Sequence, residues 1–139
     1  KTTYGVCQAA LLAANQLKTD KIIVFTASGS TANIISSFRP SQTIFAFTHS
    51  KPVFPRLNLL RGVFPVLINE IANTDTLIQI ADQILIERKL AIKNETVVIV
   101  SGVMNVQGAT NMMKIHQVGA SASEEGLRSQ EDDHNNRLF

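Results

Sequence analysis

The stretch KIIVFTASGSTANIISSFRPSQTIFAFT, residues 21–48, decides the fold of this chain. Its two ends, 21–26 and 43–48, are rich in β-branched and aromatic residues and predict strands, because such side chains suit a pleated, buried surface. Residues 30–38 between them predict a short helix that ends before Pro40, since a proline disfavours helical backbone in the residue that precedes it. Strand, helix and strand in this order are typical of a parallel sheet.

The same alternation extends to both sides of this stretch. The further predicted elements are a helix over 2–17, a short helix over 52–60, a strand over 62–68, a long helix beginning at Asn73 or Asp75, and strands over 96–100 and 111–118. About ten residues without a helix join the last two strands, which is too few for a parallel crossover. The sequence therefore predicts an α/β fold: a three-layer sandwich with a five-stranded, mostly parallel sheet whose last strand is antiparallel and lies at an edge.

Composition limits the possible functions. The chain has 139 residues, of which 45% are hydrophobic, and this is the size and content of one globular domain. Its net charge of +2 comes without a Lys/Arg cluster, so we expect no nucleic-acid partner. No apolar run is long enough to span a membrane, and residues 1–17 lack the pattern of a signal peptide. The single cysteine, Cys7, excludes an internal disulfide and indicates a cytoplasmic setting.

The character of the sequence changes near Val118. Residues 1–118 carry the recurring apolar segments and predict the globular domain. Residues 119–139 are polar and charged, and such a segment buries too little apolar surface to offset the entropy of ordering it. We therefore expect a flexible tail there.

A hydroxyl-rich loop follows the first predicted strand. It consists of Thr26, Ala27, Ser28, Gly29, Ser30 and Thr31. The loop lies at the carboxyl end of a strand and at the start of a helix, where backbone N–H groups and the helix dipole favour an anion. The chemistry of these residues suits a phosphate, but it equally suits plain capping of the helix by Ser28 or Ser30. The residues alone leave both interpretations open.

The loop over 101–110 ends at the same edge of the sheet and could form a second wall of one pocket, or it could be an ordinary connection. Motifs for dinucleotides or nucleoside triphosphates are absent, and the three histidines have no metal-ligand spacing. We expect His116 and His134 to be hydrogen-bonded or solvated, and Cys7 to be a small core residue. His49 follows the second strand, at the edge of the sheet where a ligand would bind, and stays a candidate for contact with that ligand.

Several segments, in their order, resemble the C-terminal domain of pyruvate kinase, in its bacterial type. VFTASGSTANIISSFRPSQTIFAFT is similar to the family's strand, T-x-S-G-x-T loop, helix, Y/F-R-P and strand. LNLLRGVFPVL resembles its L-x-x-x-R/W-G-V-x-P-V segment, and TVVIVSG with GATNMMKIHQV resembles its penultimate strand, loop and closing strand. The resemblance extends over about residues 2–118, nearly all of the globular part.

The resemblance implies a regulatory domain of a glycolytic enzyme that transfers phosphate from phosphoenolpyruvate to ADP. In that family the Mg²⁺ and K⁺ ions and the catalytic residues belong to a barrel domain that this sequence does not contain, so we expect no cofactor, no catalytic residue and no activity from the chain alone. The resemblance assigns the loop 26–31 to the phosphate of an allosteric effector, and it assigns Gln107, Gly108 and Ala109 to a loop that closes over the effector. The last strand, 111–118, is implied to pair with its copy in a tetramer.

One departure from the family narrows the effector. Members that bind fructose 1,6-bisphosphate hold the second phosphate with an aromatic residue and an arginine between the third and fourth strands. Ile68–Glu95 contains no aromatic residue here, and its one arginine is Arg88, late in the helix. We therefore expect a sugar monophosphate or AMP. A purely structural oligomerisation domain and a stand-alone phosphometabolite-binding domain are the alternatives.

Overall fold

The computed structural model describes residues 2–69, 73–101 and 112–120. The elements are α1 Thr2–Gln16, β1 Lys21–Phe25, α2 Ser30–Ser37, β2 Thr43–Thr48, α3 Val53–Leu57, β3 Val63–Leu67, α4 Thr74–Glu87, β4 Thr96–Ser101 and β5 Met112–Gln117. Every predicted helix and strand is present. The largest difference is α3, which is shorter than the predicted 52–60 because the chain leaves the helix after Leu57 and turns towards β3.

The strands form one sheet in the order β3-β2-β1-β4-β5. The strand β1 pairs in parallel with β2 and with β4, and β2 pairs in parallel with β3. At the edge beyond β4, β5 runs antiparallel. The predicted fold class, an α/β fold with a mostly parallel sheet and an antiparallel last strand, is confirmed.

One face of the sheet is covered by α1 and α2. It is made by alternate residues of the three inner strands: Ile22, Val24, Ile44, Ala46, Val98 and Val100, all fully buried. The helix α1 turns Cys7, Ala10 and Ala14 towards this face. Small side chains therefore line the α1 contact and allow a close approach to the sheet.

The opposite face carries the aromatic residues. The Phe25 and Phe47 ring centroids lie 5.6 Å apart on neighbouring strands, and those of Phe45 and Phe64 lie 5.5 Å apart. The side chains of Phe25, Phe47 and Phe45 are buried, whereas Phe64 on the edge strand β3 is partly exposed. Inner strands that are apolar on both faces read as continuous hydrophobic runs, which is why they were recognisable in the sequence.

Residues 73–95 and 117–120 belong to a second compact unit. Asn73 caps α4, since its Oδ1 accepts a hydrogen bond from the Thr76 N–H at 2.8 Å. The buried Asp82 of α4 accepts a hydrogen bond from the Gly119 N–H at 2.9 Å. The start of the predicted tail is thus anchored to α4, while residues 121–139 lie outside the described residues and their flexibility stays a prediction. No helix in the described part of the chain is both long and apolar enough to cross a bilayer.

Candidate functional site

The hydroxyl-rich loop leaves the carboxyl end of β1 and runs directly into α2. Its first residue is tied into the sheet, because the Thr26 N–H donates a hydrogen bond to the Phe47 carbonyl of β2 at 3.0 Å. The Thr26 Oγ1 accepts a hydrogen bond from the Gly29 N–H at 2.9 Å. With only 2% of its surface exposed, Thr26 shapes the turn and does not present its hydroxyl to solvent.

Gly29 occupies a position that other residues tolerate poorly. Its φ of 87° lies in the left-handed region, and a Cβ there would meet the Val53 Cγ1 at 3.3 Å and the Leu57 Cδ2 at 3.5 Å. Gly29 is also the N-cap residue of α2, so no side chain caps this helix. The N-cap residue therefore offers no side-chain acceptor to the first N–H groups of α2.

The two serines of the loop are the residues that face solvent. Ser28 and Ser30 are exposed, and the Ser30 N–H donates a hydrogen bond to the Ser28 Oγ at 3.2 Å. Of the helix capping by Ser28 or Ser30 that the sequence left open, the described residues show this one exposed hydrogen bond. Ala27 is half-buried and has no polar side-chain group, and Thr31 is 4% exposed, so its side chain is largely withdrawn from solvent.

A cavity of about 550 Å³ opens beside the two serines. It lies between the start of α2 and the segment that follows β2, and its lining residues are Ser28, Gly29, Ser30, Asn33, Val53, Arg56, Leu57, Leu59 and Leu60. Hydroxyl, amide and guanidinium groups are hydrogen-bond donors, and no carboxylate is among the described residues that line the cavity. This donor set suits an anion.

Arg56 is the residue that sequence reasoning missed. It lies in the last turn of α3, is exposed, and forms no ion pair within residues 2–69, 73–101 and 112–120. The sequence analysis looked for a phosphate-binding arginine only between the third and fourth strands. A signal existed, because α3 follows β2, and the carboxyl ends of β1 and β2 meet at the same edge of a parallel sheet.

The histidines add no catalytic or metal centre to the described part of the chain. His49 does follow β2, and its Nδ1 is buried without a hydrogen-bond partner in that part, but His49 does not line the cavity. His116 is 4% exposed and has an interaction partner, as expected of a satisfied histidine, and His134 lies outside the described residues. Groups of three or more His, Cys, Asp or Glu side chains that could hold a metal ion do not occur among the residues described.

Cys7 is a core residue, as predicted. It is fully buried in α1, and burial raises the pKa of its thiol from 9.0 to about 11. A thiol with this pKa stays protonated at neutral pH and is a poor nucleophile.

The remaining predicted site residues, Gln107, Gly108 and Ala109, lie outside the described residues. Their assignment to a loop over the ligand stays a prediction. The described part of the site is therefore one wall and the floor: the loop 26–31, the start of α2, and the segment 53–60.

Comparison of the chain with known proteins identifies its family. The family described as "Pyruvate kinase, alpha/beta domain" matches residues 5–116. The pyruvate kinase of Dictyostelium discoideum is 38% identical over 84% of this chain and 23% of its own length, and that of Clostridium acetobutylicum is 36% identical over 84% of this chain and 24% of its own length. The chain thus spans about a quarter of the relatives that it matches.

Solved structures with a similar fold belong to the same family. A solved structure of Cryptosporidium parvum pyruvate kinase in complex with ADP superimposes with a TM-score of 0.76 at 30% sequence identity, over 85% of this chain and 24% of that one. A second structure of the enzyme from the same organism gives a TM-score of 0.74, also at 30% identity, over 85% of this chain and 23% of that one.

Proposed function

The chain belongs to the pyruvate kinase α/β-domain family, and on this premise we propose that it is a regulatory domain that binds the phosphate of an allosteric effector at the loop 26–31. The phosphate transfer from phosphoenolpyruvate to ADP, with its metal ions, then belongs to a separate catalytic domain, and the chain alone is inactive. The effector is a sugar monophosphate or AMP, bound in the cytoplasm.

One observation carries this proposal: two exposed serine hydroxyls, the start of a helix whose N-cap residue is a glycine, and an arginine without an ion pair in the described chain share one cavity. The helix start supplies N–H donors and a positive dipole end. Arg56 supplies a full positive charge and a planar fork of donors that matches a phosphate. A site of small-molecule size whose described lining offers donors but no carboxylate is suited to an anionic metabolite.

Calorimetry on the 139-residue chain tests the proposal. Inorganic phosphate, ribose 5-phosphate and AMP are titrated into the unaltered chain and into Ser28→Asp, which places a like charge where the phosphate would lie. The matched control is Ser41→Asp, which adds the same charge at an exposed serine outside the cavity. We expect Ser28→Asp to abolish binding and Ser41→Asp to preserve it. Failure of all three compounds to bind, or equal loss in both variants, contradicts the proposal.

A second function, subunit assembly through β5, is supported by an independent observation. The strand β5 lies at the end of the sheet next to β4, and Ile115 on it is 52% exposed. An edge strand presents free backbone groups and can pair with a copy of itself. We propose that β5 contributes to tetramer assembly in this way.

Sedimentation of the chain tests the assembly role. The variant Ile115→Lys should dissociate the oligomer, because a lysine at the centre of a strand pair is costly to bury. The control Ile92→Lys changes an isoleucine that is 74% exposed and lies outside β5. A monomeric unaltered chain, or equal dissociation by both variants, contradicts the assembly role.

A further inference from the structure

The two edge strands of the sheet differ in the backbone groups that they offer to another chain. Within the described residues the strand order is β3-β2-β1-β4-β5, so β3 and β5 each have one side without a neighbouring strand. The outer side of an edge strand normally presents a row of N–H and carbonyl groups with which a further strand can pair. The register of β3 decides which of its residues supply this row.

Alternate residues of β3 turn their backbone groups away from β2. The Ile44 N–H donates a hydrogen bond to the Gly62 carbonyl at 2.8 Å, and the Ile68 N–H donates to the Thr48 carbonyl at 2.9 Å. The parallel register between these two bonds is unbroken, so the even-numbered residues of this strand face β2. The residues whose backbone groups face outwards are therefore Val63, Pro65 and Leu67.

Pro65 lies in the middle of this outward row and has no N–H. At one end of the row, the Val63 N–H donates to the Leu60 carbonyl at 3.4 Å, inside the same chain. Leu67 alone keeps an outward N–H for which the described residues show no acceptor. A strand that paired here would lose its central hydrogen bond and would meet the proline ring instead.

The rest of β3 favours strand pairing. Its sequence VFPVL carries no charge, and Phe64 is 41% exposed. Edge strands commonly resist pairing by means of a charged side chain or a proline, and of these two β3 has the proline alone. The other edge strand, β5, contains no proline between Met112 and Gln117.

We infer that Pro65 closes the β3 edge to strand pairing, so that sheets of this chain join through β5 alone. Two chains that pair through β5 about a two-fold axis form one continuous sheet with β3 at both ends. If β3 could pair as well, each end would accept a further chain and the sheet would grow without limit. The limit to growth rests on the proposed assembly role of β5, whereas the closure of the β3 edge does not.

Sedimentation velocity over a range of concentrations tests the inference on the unaltered 139-residue chain, Pro65→Thr, Ile115→Lys and the double variant. Threonine restores the N–H and favours a strand. Pro65→Ala restores the same N–H with a smaller side chain and carries the test if Pro65→Thr does not fold. The control Pro52→Thr restores an N–H at an exposed proline outside the strands. Circular dichroism and a cooperative urea transition establish that each variant is folded.

We expect the mass of Pro65→Thr to rise with concentration beyond that of the unaltered chain, because both edges can then pair. The double variant should reach about twice the mass of Ile115→Lys and stop there, since pairing through β3 alone joins two chains. Pro52→Thr should sediment like the unaltered chain.

Two results would overturn the inference. One is equal sedimentation of Pro65→Thr and the unaltered chain at the highest concentration. The other is growth of the double variant without limit, which would mean that the association does not use strand edges. If the unaltered chain is monomeric, the proposed assembly through β5 fails, but Pro65→Thr should still form a dimer through β3.

Discussion

Polar residues lie near both ends of β1, but their side chains form hydrogen bonds within the protein at one end and are partly exposed at the other. At the amino end, Thr19, Gln42 and Asn15 form what we call the amino-edge network. The Thr19 Oγ1 donates a hydrogen bond to the Thr96 carbonyl at 2.7 Å, and the Gln42 Nε2 donates to the Asn15 Oδ1 at 2.8 Å and to the Thr19 carbonyl at 3.2 Å. At the carboxyl end, the loop 26–31 leaves two serine hydroxyls exposed. The fold therefore uses the polar side chains at the amino end for its own hydrogen bonds, and it leaves two hydroxyls exposed at the carboxyl end, where we propose that the ligand binds.

The loop 26–31 itself contains both kinds of polar side chain, buried and exposed. Thr26 is buried, like Thr19 and Gln42, and its Oγ1 holds the turn by accepting a hydrogen bond from the Gly29 N–H. Ser28 and Ser30 contact solvent. The buried threonine supports the fold, whereas the serines belong to the proposed site. Substitutions at the two kinds of position should therefore have separable effects on stability and on binding.

The largest expected effect on stability comes from Gly29, where fold and site meet. Gly29→Ala should lower the free energy of unfolding by about 2 kcal/mol, because an alanine is strained at this φ and its Cβ crowds Val53. Phosphate binding should weaken as the turn distorts. Urea denaturation measures the first effect and calorimetry the second.

Gly5→Ala is the control for this change. A Cβ at Gly5, inside α1, meets nothing within 4 Å. This substitution should raise the free energy of unfolding by about 0.5–1 kcal/mol, since alanine favours the helix. If both alanines shift stability in the same direction, the strained turn at Gly29 is not the cause.

Thr19→Val should lower the free energy of unfolding by about 1 kcal/mol and leave phosphate affinity unchanged. The valine keeps the shape of the side chain but cannot donate to the Thr96 carbonyl. Urea denaturation and calorimetry on the same preparation check both statements. A loss of phosphate affinity without loss of stability would reverse the roles that we assign to the two ends of β1.

Ser28→Ala should have the opposite effects to Thr19→Val, with stability nearly unchanged and phosphate affinity lowered. Because Ser28 is exposed and, within the described residues, its side chain accepts a hydrogen bond from the Ser30 N–H alone, stability should change by less than about 0.5 kcal/mol. Phosphate affinity should fall, because one donor at the site is removed. An Ser28→Ala chain that binds phosphate normally would mean that the helix start and Arg56 suffice without this hydroxyl.

The prediction for Cys7 concerns alkaline pH only, because ionisation of its thiol does not change the stability at neutral pH. Its folded pKa of about 11 lies above the ordinary value of 9.0, so the folded state retains a proton that the unfolded state releases. The resulting stability is complete below pH 9 and is lost as the pH rises towards 11. Denaturation over this range should show a steeper fall for the unaltered chain than for Cys7→Ala. Parallel curves would mean that the thiol is not desolvated.

The sequence predicted the elements well, for identifiable reasons. The apolar runs of β1 and β4 are short and bounded by polar or turn residues, and the brief connection before β5 required an antiparallel partner. The sequence did not predict the strand order, in which β1 and not β4 is central, because a run buried on both faces looks the same at either position.

Less of the site could be predicted. The loop was located by its hydroxyls, but which of them are buried depends on neighbours from other elements: Phe47 on β2 ties down Thr26, and Val53 on α3 closes on Gly29. Arg56 was missed because its place in the cavity depends on how α3 packs beside α2, which no local pattern records.

The most direct test of phosphate binding at the carboxyl end of β1 is an NMR titration of the isotope-labelled chain with AMP. We expect saturable shifts of the backbone amides of Ser28, Ser30 and Thr31, at the exposed start of α2, and unshifted amides at Thr19 and Gln42 in the amino-edge network. Ser28→Asp should abolish the shifts. Shifts of equal size at both ends of the strand, or no saturable shift in the loop, would contradict the assignment of the site.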